Sequence, residues 1–275
     1  MKSLRIGCVK YLNARPLIRG WPGEVTFDHP SALCRKLAHG ELDLALVSSF
    51  EFLRNPIYRI VDNVSISSNG RVYSVVVAHR GDISDMEEIE LDPASETSGN
   101  LLRCLLAQLR LKRRLIGSID VQSGQPTDSM LTLPTTRRAR LFIGDQAIRF
   151  RQTWGNKFCF WDLGEQWQKL TNLPFVYALW LIRPEVGEAK SIAQRLRALR
   201  DENLANLDQL ISDNVAGIDD PRVRKHFDSE FFSRYYREHL RFSFAETEKN
   251  GLRTFATLCV KEGLLPPRAV AFHLV

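Results

Sequence analysis

The sequence lacks the cysteine patterns and the long apolar runs that mark several classes of protein. Its 275 residues include five cysteines, an odd number, and no two of them lie within 20 residues of each other. This spacing argues against a disulfide framework and against a zinc site, so isolated buried thiols are expected. No apolar run approaches the about 18 residues that a membrane span needs. Charged residues recur from Lys2 to Lys10, so no signal peptide is predicted and a cytoplasmic location is expected.

The excess of positive charge is small. The chain has 38 basic and 32 acidic residues, a formal charge of +6, which can attract small anions but falls short of the footprint of a nucleic-acid-binding domain. The basic residues within 110–114 and 137–140 are therefore expected to form solvated faces. The phosphate-binding patterns GxGxxG and GxxxxGKS/T are absent, and the six histidines have no metal-ligand spacing. These observations predict no nucleic-acid partner and no metal.

Short apolar runs alternate with helical patterns along the chain. Leu4 to Val9 reads as a strand, and Ser31 to His39 reads as a helix that ends at Gly40. Such alternation predicts an α/β fold with a mainly parallel sheet. Helical patterns also dominate after Glu185. Further strands are predicted at 25–27, 42–47, 72–79, 141–145, 158–163 and 175–182, with a leucine-rich helix at 101–111.

Polar side chains follow several of the predicted strands. Asn13 follows the first strand, Ser48 and Ser49 follow the third, and Asp145 follows a later one. In open α/β sheets ligands bind outside the carboxyl ends of the strands, so these side chains are candidates for a shared site. Ser74 lies within an apolar strand, where its hydroxyl must find a partner. Turn or cap roles would explain Asn13 and Asp145 equally well without a ligand.

The Ser-Glu-Thr-Ser loop at 95–98 leads into the leucine-rich helix. A helix N-terminus has unpaired N–H groups and a partial positive charge, so hydroxyls there can help to bind a carboxylate or a phosphate. The alternative is ordinary N-capping by Ser95 or Thr97, which these residue types also favour. The same two interpretations apply to Ser48 and Ser49. None of these groups is a strong nucleophile, so they offer hydrogen bonds and helix termini.

Several segments between residues 4 and 182 resemble those of one enzyme family and occur in the same order. They are Tyr-Leu-Asn-Ala-Arg-Pro-Leu at 11–17, Gly-Glu-Leu-Asp-Leu-Ala-Leu-Val-Ser-Ser-Phe-Glu at 40–51, Val-Ser-Ile-Ser-Ser-Asn-Gly at 64–70, Pro-Ala-Ser-Glu-Thr-Ser at 93–98, Ile-Gly-Asp-Gln-Ala at 143–147, Asp-Leu-Gly at 162–164 and Ala-Leu-Trp at 178–180. On these segments the chain resembles the MqnA family, the chorismate dehydratases of the futalosine route to menaquinone.

The resemblance implies an α/β fold of the type II periplasmic-binding-protein-like kind, with two α/β lobes around a central cleft. Two crossing strands, near 72–78 and 176–182, would join the lobes. Lobe one would comprise residues 1–75 and 181–275, and lobe two residues 76–180. The polar strand ends would then face each other across the cleft.

The resemblance also implies a lyase that removes water from chorismate to give 3-[(1-carboxyvinyl)oxy]benzoate. Because the product ring is aromatic, the elimination is strongly driven and needs no cofactor or metal. Asn13 matches the residue proposed for the proton-transfer step in the family, and Ser74 is the better match for an assisting serine than Ser68. Alanine at Asn13 or Ser74 should abolish turnover without unfolding the protein. Substrate binding is assigned to Ser48, Ser49, Ser68, Thr97, Ser98 and Asp145.

Two other functions share features with this sequence. The related 1,4-dihydroxy-6-naphthoate synthase has the same fold but usually begins with a Ser-Pro-Cys-Pro-Asn-Asp-type segment and uses a histidine, whereas this chain has Tyr11-Leu12-Asn13. A non-catalytic solute-binding protein for a small anion would normally be exported, and no signal peptide is predicted. The chain departs from the commonest family pattern at Gly99-Asn100 and at 138–140. The sequence does not indicate an oligomeric state.

Overall fold

The computed structural model describes residues 4–117, 137–218 and 227–275. Within these residues ten strands form two separate five-stranded sheets. The strands are β1 (Ile6–Val9), β2 (Val25–Asp28), β3 (Leu44–Ser48), β4 (Arg59–Ser68), β5 (Val75–His79), β6 (Glu88–Leu91), β7 (Arg114–Gly117), β8 (Arg138–Ile143), β9 (Cys159–Asp162) and β10 (Phe175–Ile182).

The two sheets share one layout. The first has the strand order β2-β1-β3-β10-β4 and the second has the order β7-β6-β8-β5-β9. Strands β1, β2 and β3 run parallel, as do β6, β7 and β8. The antiparallel strands are β10 in the first sheet and β5 in the second. Along the chain, β5 follows β4 of the first sheet, and β10 follows β9 of the second sheet. The fold therefore consists of two α/β lobes joined by two crossing segments.

The predicted α/β class is confirmed, and the sheets suggest a different division into lobes. Strand β10 pairs with β3 and β4 of the first sheet along its whole length, from Phe175 to Ile182. The predicted boundary between residues 180 and 181 would cut this strand in two. Because the chain crosses between the sheets before β10, we propose that lobe one begins again with Phe175.

Some of the strands can be predicted from the sequence more readily than others. Every residue of β10 is buried, as in β3 and β5, which fits apolar strands covered on both faces. Strand β4 was not predicted, because serines interrupt its apolar pattern. Two of these serines are buried and donate to backbone carbonyls, Ser65 to Ser243 and Ser67 to Arg241 at 3.3 Å. The hydroxyls therefore attach β4 to the neighbouring segment that contains Arg241 and Ser243.

Ten α-helices cover the sheets within the described residues. The C-terminal ones belong mainly to the first lobe, since α7 packs on α1 and β4 and the last helix packs on β10. No described helix is both long and apolar enough to cross a membrane. The helices are α1 (Arg15–Ile18), α2 (Pro30–Ala38), α3 (Ser49–Arg54), α4 (Glu96–Gln108), α5 (Gly144–Trp154), α6 (Leu163–Thr171), α7 (Ala189–Ala205), α8 (Leu207–Ala216), α9 (Ser229–Arg234) and α10 (Glu246–Lys261).

The basic residues at the edge of the second lobe pair with an acidic strand. Arg114 on β7 and Arg138 on β8 both contact Glu88 on β6, which lies between them. Arg137 contacts Glu87 with 2.6 Å between its Nη1 and Oε1. These partly exposed pairs neutralise much of the positive charge, in agreement with the predicted solvated face.

The predicted burial of isolated cysteines is confirmed at four of the five positions. Cys8, Cys34, Cys104 and Cys259 are buried, whereas Cys159 is exposed. The prediction is wrong for Cys159 because it lies on β9, the edge strand of the second sheet.

Candidate functional site

A cleft lies between the two lobes at the strand ends where polar residues were predicted to converge. Its empty volume is about 510 Å3, including the part that is open to solvent. Both lobes and the crossing segments contribute to its walls. The lining residues are Val9, Tyr11, Asn13, Pro30, Ser48, Ile66, Val72, Ser74, Val75, Ser95, Ser98, Ile143, Gly144, Tyr177 and Ala178.

Four of the eight predicted site residues line this cleft: Asn13, Ser48, Ser74 and Ser98. Among them the amide of Asn13 stands out, because its Oδ1 atom is buried and has no hydrogen-bond partner among the described residues. A buried polar atom without a partner costs about 1–3 kcal/mol, so such atoms are rare and require an explanation. A ligand in the cleft that donates a hydrogen bond to Asn13 would supply one.

The turn that carries Asn13 is held from both sides. Leu12–Ala14 forms a 3-10 turn between β1 and α1. The Leu12 N–H donates to Asp145 Oδ1 at 3.0 Å, and the Leu12 carbonyl accepts from the Tyr236 hydroxyl at 2.8 Å. Asp145 belongs to the second lobe and Tyr236 to the C-terminal part of the chain, so residues distant in sequence position Asn13 at the cleft.

Asp145 lies behind this turn and is not one of the lining residues. Burial disfavours the charged carboxylate and raises the pKa of Asp145 to about 6, although the Leu12 N–H partly counters the effect. The structure thus gives Asp145 a supporting contact with the Asn13 turn. Its predicted role in substrate binding stays a prediction.

The raised pKa of Asp145 should make stability depend on pH. The folded protein holds a proton that the unfolded chain releases above its ordinary pKa, so stability is lost as the pH rises from about 4 to about 6. Asp145→Asn keeps an oxygen for Leu12 and cannot ionise. Its free energy of unfolding should rise relative to wild type over this interval, by up to about 1.4 kcal/mol per pH unit.

Urea unfolding of both proteins at about pH 4 and about pH 7 measures this difference. Asp208→Asn, which alters an exposed carboxylate, is the control and should give a much smaller change. A stability difference between Asp145→Asn and wild type that stays constant with pH would contradict the assigned titration.

Hydroxyl groups from the two lobes meet at one side of the cleft. The Ser48 hydroxyl, at the end of β3, hydrogen bonds to the Thr97 hydroxyl in the first turn of α4. Thr97 Oγ1 also accepts from the Phe50 N–H at 3.1 Å. Nearby, Arg54 Nη1 lies 2.8 Å from Glu96 Oε1. These contacts join the lobes and bring Ser48 and Thr97 together as predicted.

Ser95 and Ser48, which each precede a helix, differ in whether their side chains cap it. The Ser95 side chain caps α4 by accepting from the Ser98 N–H at 3.3 Å, so the capping interpretation is correct there. Ser48 precedes α3 but makes no side-chain cap bond. Its hydroxyl points across the cleft to the other lobe instead.

Two of the predicted residues direct their hydroxyls into the protein. Ser49 Oγ donates to the Val176 carbonyl at 2.7 Å, which ties α3 to β10. Ser68 Oγ donates to the Gly70 carbonyl at 3.1 Å and lies 3.1 Å from the Tyr177 hydroxyl. Neither serine is one of the lining residues, so the geometry does not favour the substrate contacts predicted for them.

None of the described lining residues carries a charged side chain. Positive potential comes instead from the N-termini of two helices, because Ser98 lies in the first turn of α4 and Gly144 begins α5. Such a site suits an anion held by N–H groups and neutral hydroxyls. The aromatic walls Tyr11 and Tyr177 were not predicted: Tyr177 lies in an apolar run, where it looks like a core residue, and Tyr11 lies in a polar loop with no feature that marks a ligand wall.

Gly144 shows how closely one aromatic wall approaches the backbone. Its φ angle is +56°, and a Cβ atom there would lie 2.9 Å from the Tyr11 ring. A side chain at this position would therefore clash with the Tyr11 ring, and the backbone conformation also favours glycine.

A single carboxylate connects the two crossing segments. Asp162, at the end of β9, accepts from the Val72 N–H at 3.0 Å and from the Tyr73 N–H at 2.8 Å. It also caps α6 by accepting from the Glu165 N–H at 3.2 Å. Tyr73 itself has a φ angle of 70°, and this left-handed residue directly precedes Ser74. The segment that leads into Ser74 is therefore held by Asp162 of the second lobe.

Comparison with known proteins agrees with this architecture. Residues 4–261 match a protein-family model described as menaquinone biosynthesis. The chain is 29% identical to a chorismate dehydratase of Thermus thermophilus, over 93% of this chain and 95% of the relative. It is 25% identical to a chorismate dehydratase of Campylobacter jejuni, over 90% of each.

A solved structure supports the fold. A Candida albicans protein, described as having the generic periplasmic-binding-protein fold, superposes with a TM-score of 0.63 at 13% identity, covering 98% of this chain and 92% of that one. The predicted periplasmic-binding-protein-like fold is therefore confirmed.

Proposed function

Because the chain belongs to the menaquinone biosynthesis family, we propose that it is a chorismate dehydratase. The similarity to the Thermus thermophilus enzyme, which extends over 93% of the chain, carries the proposal. The reaction would convert chorismate into 3-[(1-carboxyvinyl)oxy]benzoate and water, which makes the protein a lyase. We place it in the futalosine route to menaquinone and in the cytoplasm.

The chemistry suits a cleft that offers geometry and hydrogen bonds. The ring loses its hydroxyl and the hydrogen of the adjacent ring carbon, and the two leave together as water. Formation of the aromatic ring supplies the driving force. The protein has to hold the substrate in one orientation and assist the transfer of one proton.

Asn13 and Ser74 are the proposed catalytic residues. The unpartnered Oδ1 of Asn13 can accept a hydrogen bond from the substrate or from a water that takes up the ring proton. Ser74 lines the same cleft and offers a hydroxyl. This pairing would provide one acceptor and one donor for the reacting ring.

The substrate is a dianion, and neutral groups would bind its two carboxylates. The N-termini of α4 and α5 face the cleft and carry partial positive charge, and the Ser98 hydroxyl lies beside the first of them. Ser48 and Thr97 hydrogen bond to each other in this structure. With substrate present, we propose that they exchange this bond for bonds to a carboxylate.

The test is to incubate the purified protein with chorismate and to follow both the substrate and a product lighter by one water by mass spectrometry. Stoichiometric conversion to the aromatic product is the expected result. Binding of chorismate without conversion would favour the alternative of a non-catalytic anion-binding protein. Absence of both binding and conversion would contradict the proposal and reopen the alternative of 1,4-dihydroxy-6-naphthoate synthase.

A further inference from the structure

A buried tyrosine contacts the hydroxyl of Ser74 from behind the cleft. Tyr235 is fully buried, and its hydroxyl donates to Ser74 Oγ at 2.9 Å. The two residues are 161 positions apart in the chain. The Tyr235 ring stacks on Phe231, with ring centroids 5.7 Å apart and planes inclined by 13°. The packing therefore holds the phenol in one orientation toward Ser74.

The backbone around Tyr235 has an uncommon form. Residues Tyr235–His239 form a π-helical turn that continues α9. Such turns widen a helix by one residue and often occur at functional sites. Here the first two residues of the turn both donate to segments that line the cleft, since Tyr235 donates to Ser74 and Tyr236 to the Leu12 carbonyl beside Asn13. Each of these tyrosines supports the segment of one proposed catalytic residue.

The hydrogen bond determines what Ser74 can do. Burial raises the pKa of Tyr235 well above its ordinary value, so the phenol keeps its proton and donates it. A serine hydroxyl has one proton and two acceptor positions. Tyr235 occupies one acceptor position, and this is the only hydrogen bond recorded for Ser74 Oγ among the described residues. The Ser74 proton is therefore left for a group in the cleft that Ser74 lines.

We propose that Tyr235 is a positioning residue that fixes the Ser74 hydroxyl as a hydrogen-bond donor toward the ligand. The proposal rests on the proposed function, because it assigns Ser74 the task of donating to an oxygen of the substrate. It also separates Ser74 from Ser68. The proton of Ser68 already goes to the Gly70 carbonyl, so Ser68 cannot donate to a ligand without breaking that bond.

The experiment compares Tyr235→Phe with wild type in the conversion of chorismate. The ring and its stacking remain, and only the hydroxyl is lost. We expect kcat to fall about tenfold, the effect of one good hydrogen bond, with KM and the midpoint of urea unfolding almost unchanged. In a Ser74→Ala background the same substitution should have no further effect on kcat, because the group that it positions is absent.

Tyr58→Phe is the matched control, since Tyr58 is also buried and does not line the cleft. It should leave kcat unchanged. A wild-type kcat in Tyr235→Phe, or losses from Tyr235→Phe and Ser74→Ala that multiply in the double variant, would overturn the assignment while the proposed function stands. Wild-type protein that does not convert chorismate would overturn the proposed function, and the assignment with it.

Discussion

Asn13→Ala should lower kcat for chorismate conversion by about 10²–10³-fold, the usual cost of losing one preorganised polar group at a reacting centre. The fold should not suffer. The Oδ1 atom of Asn13 has no partner among the described residues, so alanine removes an unfavourable buried group. We expect the free energy of unfolding to stay within about 1 kcal/mol of the wild-type value or to rise.

Steady-state kinetics and urea unfolding of the same preparation test both parts of this expectation. Asn250→Ala, on the exposed side of α10, is the control and should leave both quantities unchanged. Asn13→Asp adds a second test, because it keeps the shape and introduces a negative charge. It should raise KM for the dianionic substrate. An Asn13→Ala variant with wild-type kcat would remove Asn13 from the mechanism.

Gly251→Ala should lower the free energy of unfolding by about 3–5 kcal/mol or prevent folding, as severe overpacking against rigid groups does. A Cβ atom at Gly251 would lie 2.0 Å from the carbonyl oxygen of Pro174. That oxygen cannot move away easily, since it accepts a hydrogen bond from Trp167 Nε1 at 3.1 Å. The contact joins α10 to the residue just before β10, so relief would require moving the helix away from that strand.

The matched control is Gly187→Ala, where an added Cβ atom would have no neighbour within 4 Å. Its free energy of unfolding should remain within about 1 kcal/mol of wild type. Soluble yield and the urea midpoint of the two variants provide the comparison. If Gly251→Ala were as stable as Gly187→Ala, the close packing of α10 on Pro174 would be refuted.

An element of the fold could be predicted from the sequence when the interactions that determine it lie within its own segment, and it was missed when they involve distant segments. Strand β10 was predicted with its observed bounds, Phe175–Ile182, because an apolar run of this short length favours a buried strand over a helix. Strand β4 was missed, since its serines look exposed until the carbonyls of the C-terminal segment are in place. The overall class and the position of the cleft follow from the order of the elements.

The candidate site was only partly predictable for a related reason. Ser48 and Ser49 are neighbours with the same chemistry, yet only Ser48 reaches the cleft, because Ser49 bonds to Val176 on the adjacent strand. The pairing of β3 with β10 decides between them, and the sequence of one segment does not encode it. The contact of Tyr235 with Ser74 is likewise invisible before folding.

The contacts of the Asp162 carboxylate bear on how a ligand enters and leaves the cleft. Asp162 accepts hydrogen bonds from the N–H groups of Val72 and Tyr73 in the first connection between the lobes. It is also the last residue of β9, the strand that precedes the second connection. This carboxylate therefore ties the first connection to the second sheet at the residue where the second connection begins. Elsewhere between the lobes, Ser48 contacts Thr97, Arg54 contacts Glu96, and the Phe50 N–H donates to Thr97 Oγ1. We expect opening of the cleft to exchange these contacts and the Leu12–Asp145 hydrogen bond with water, while both sheets stay intact.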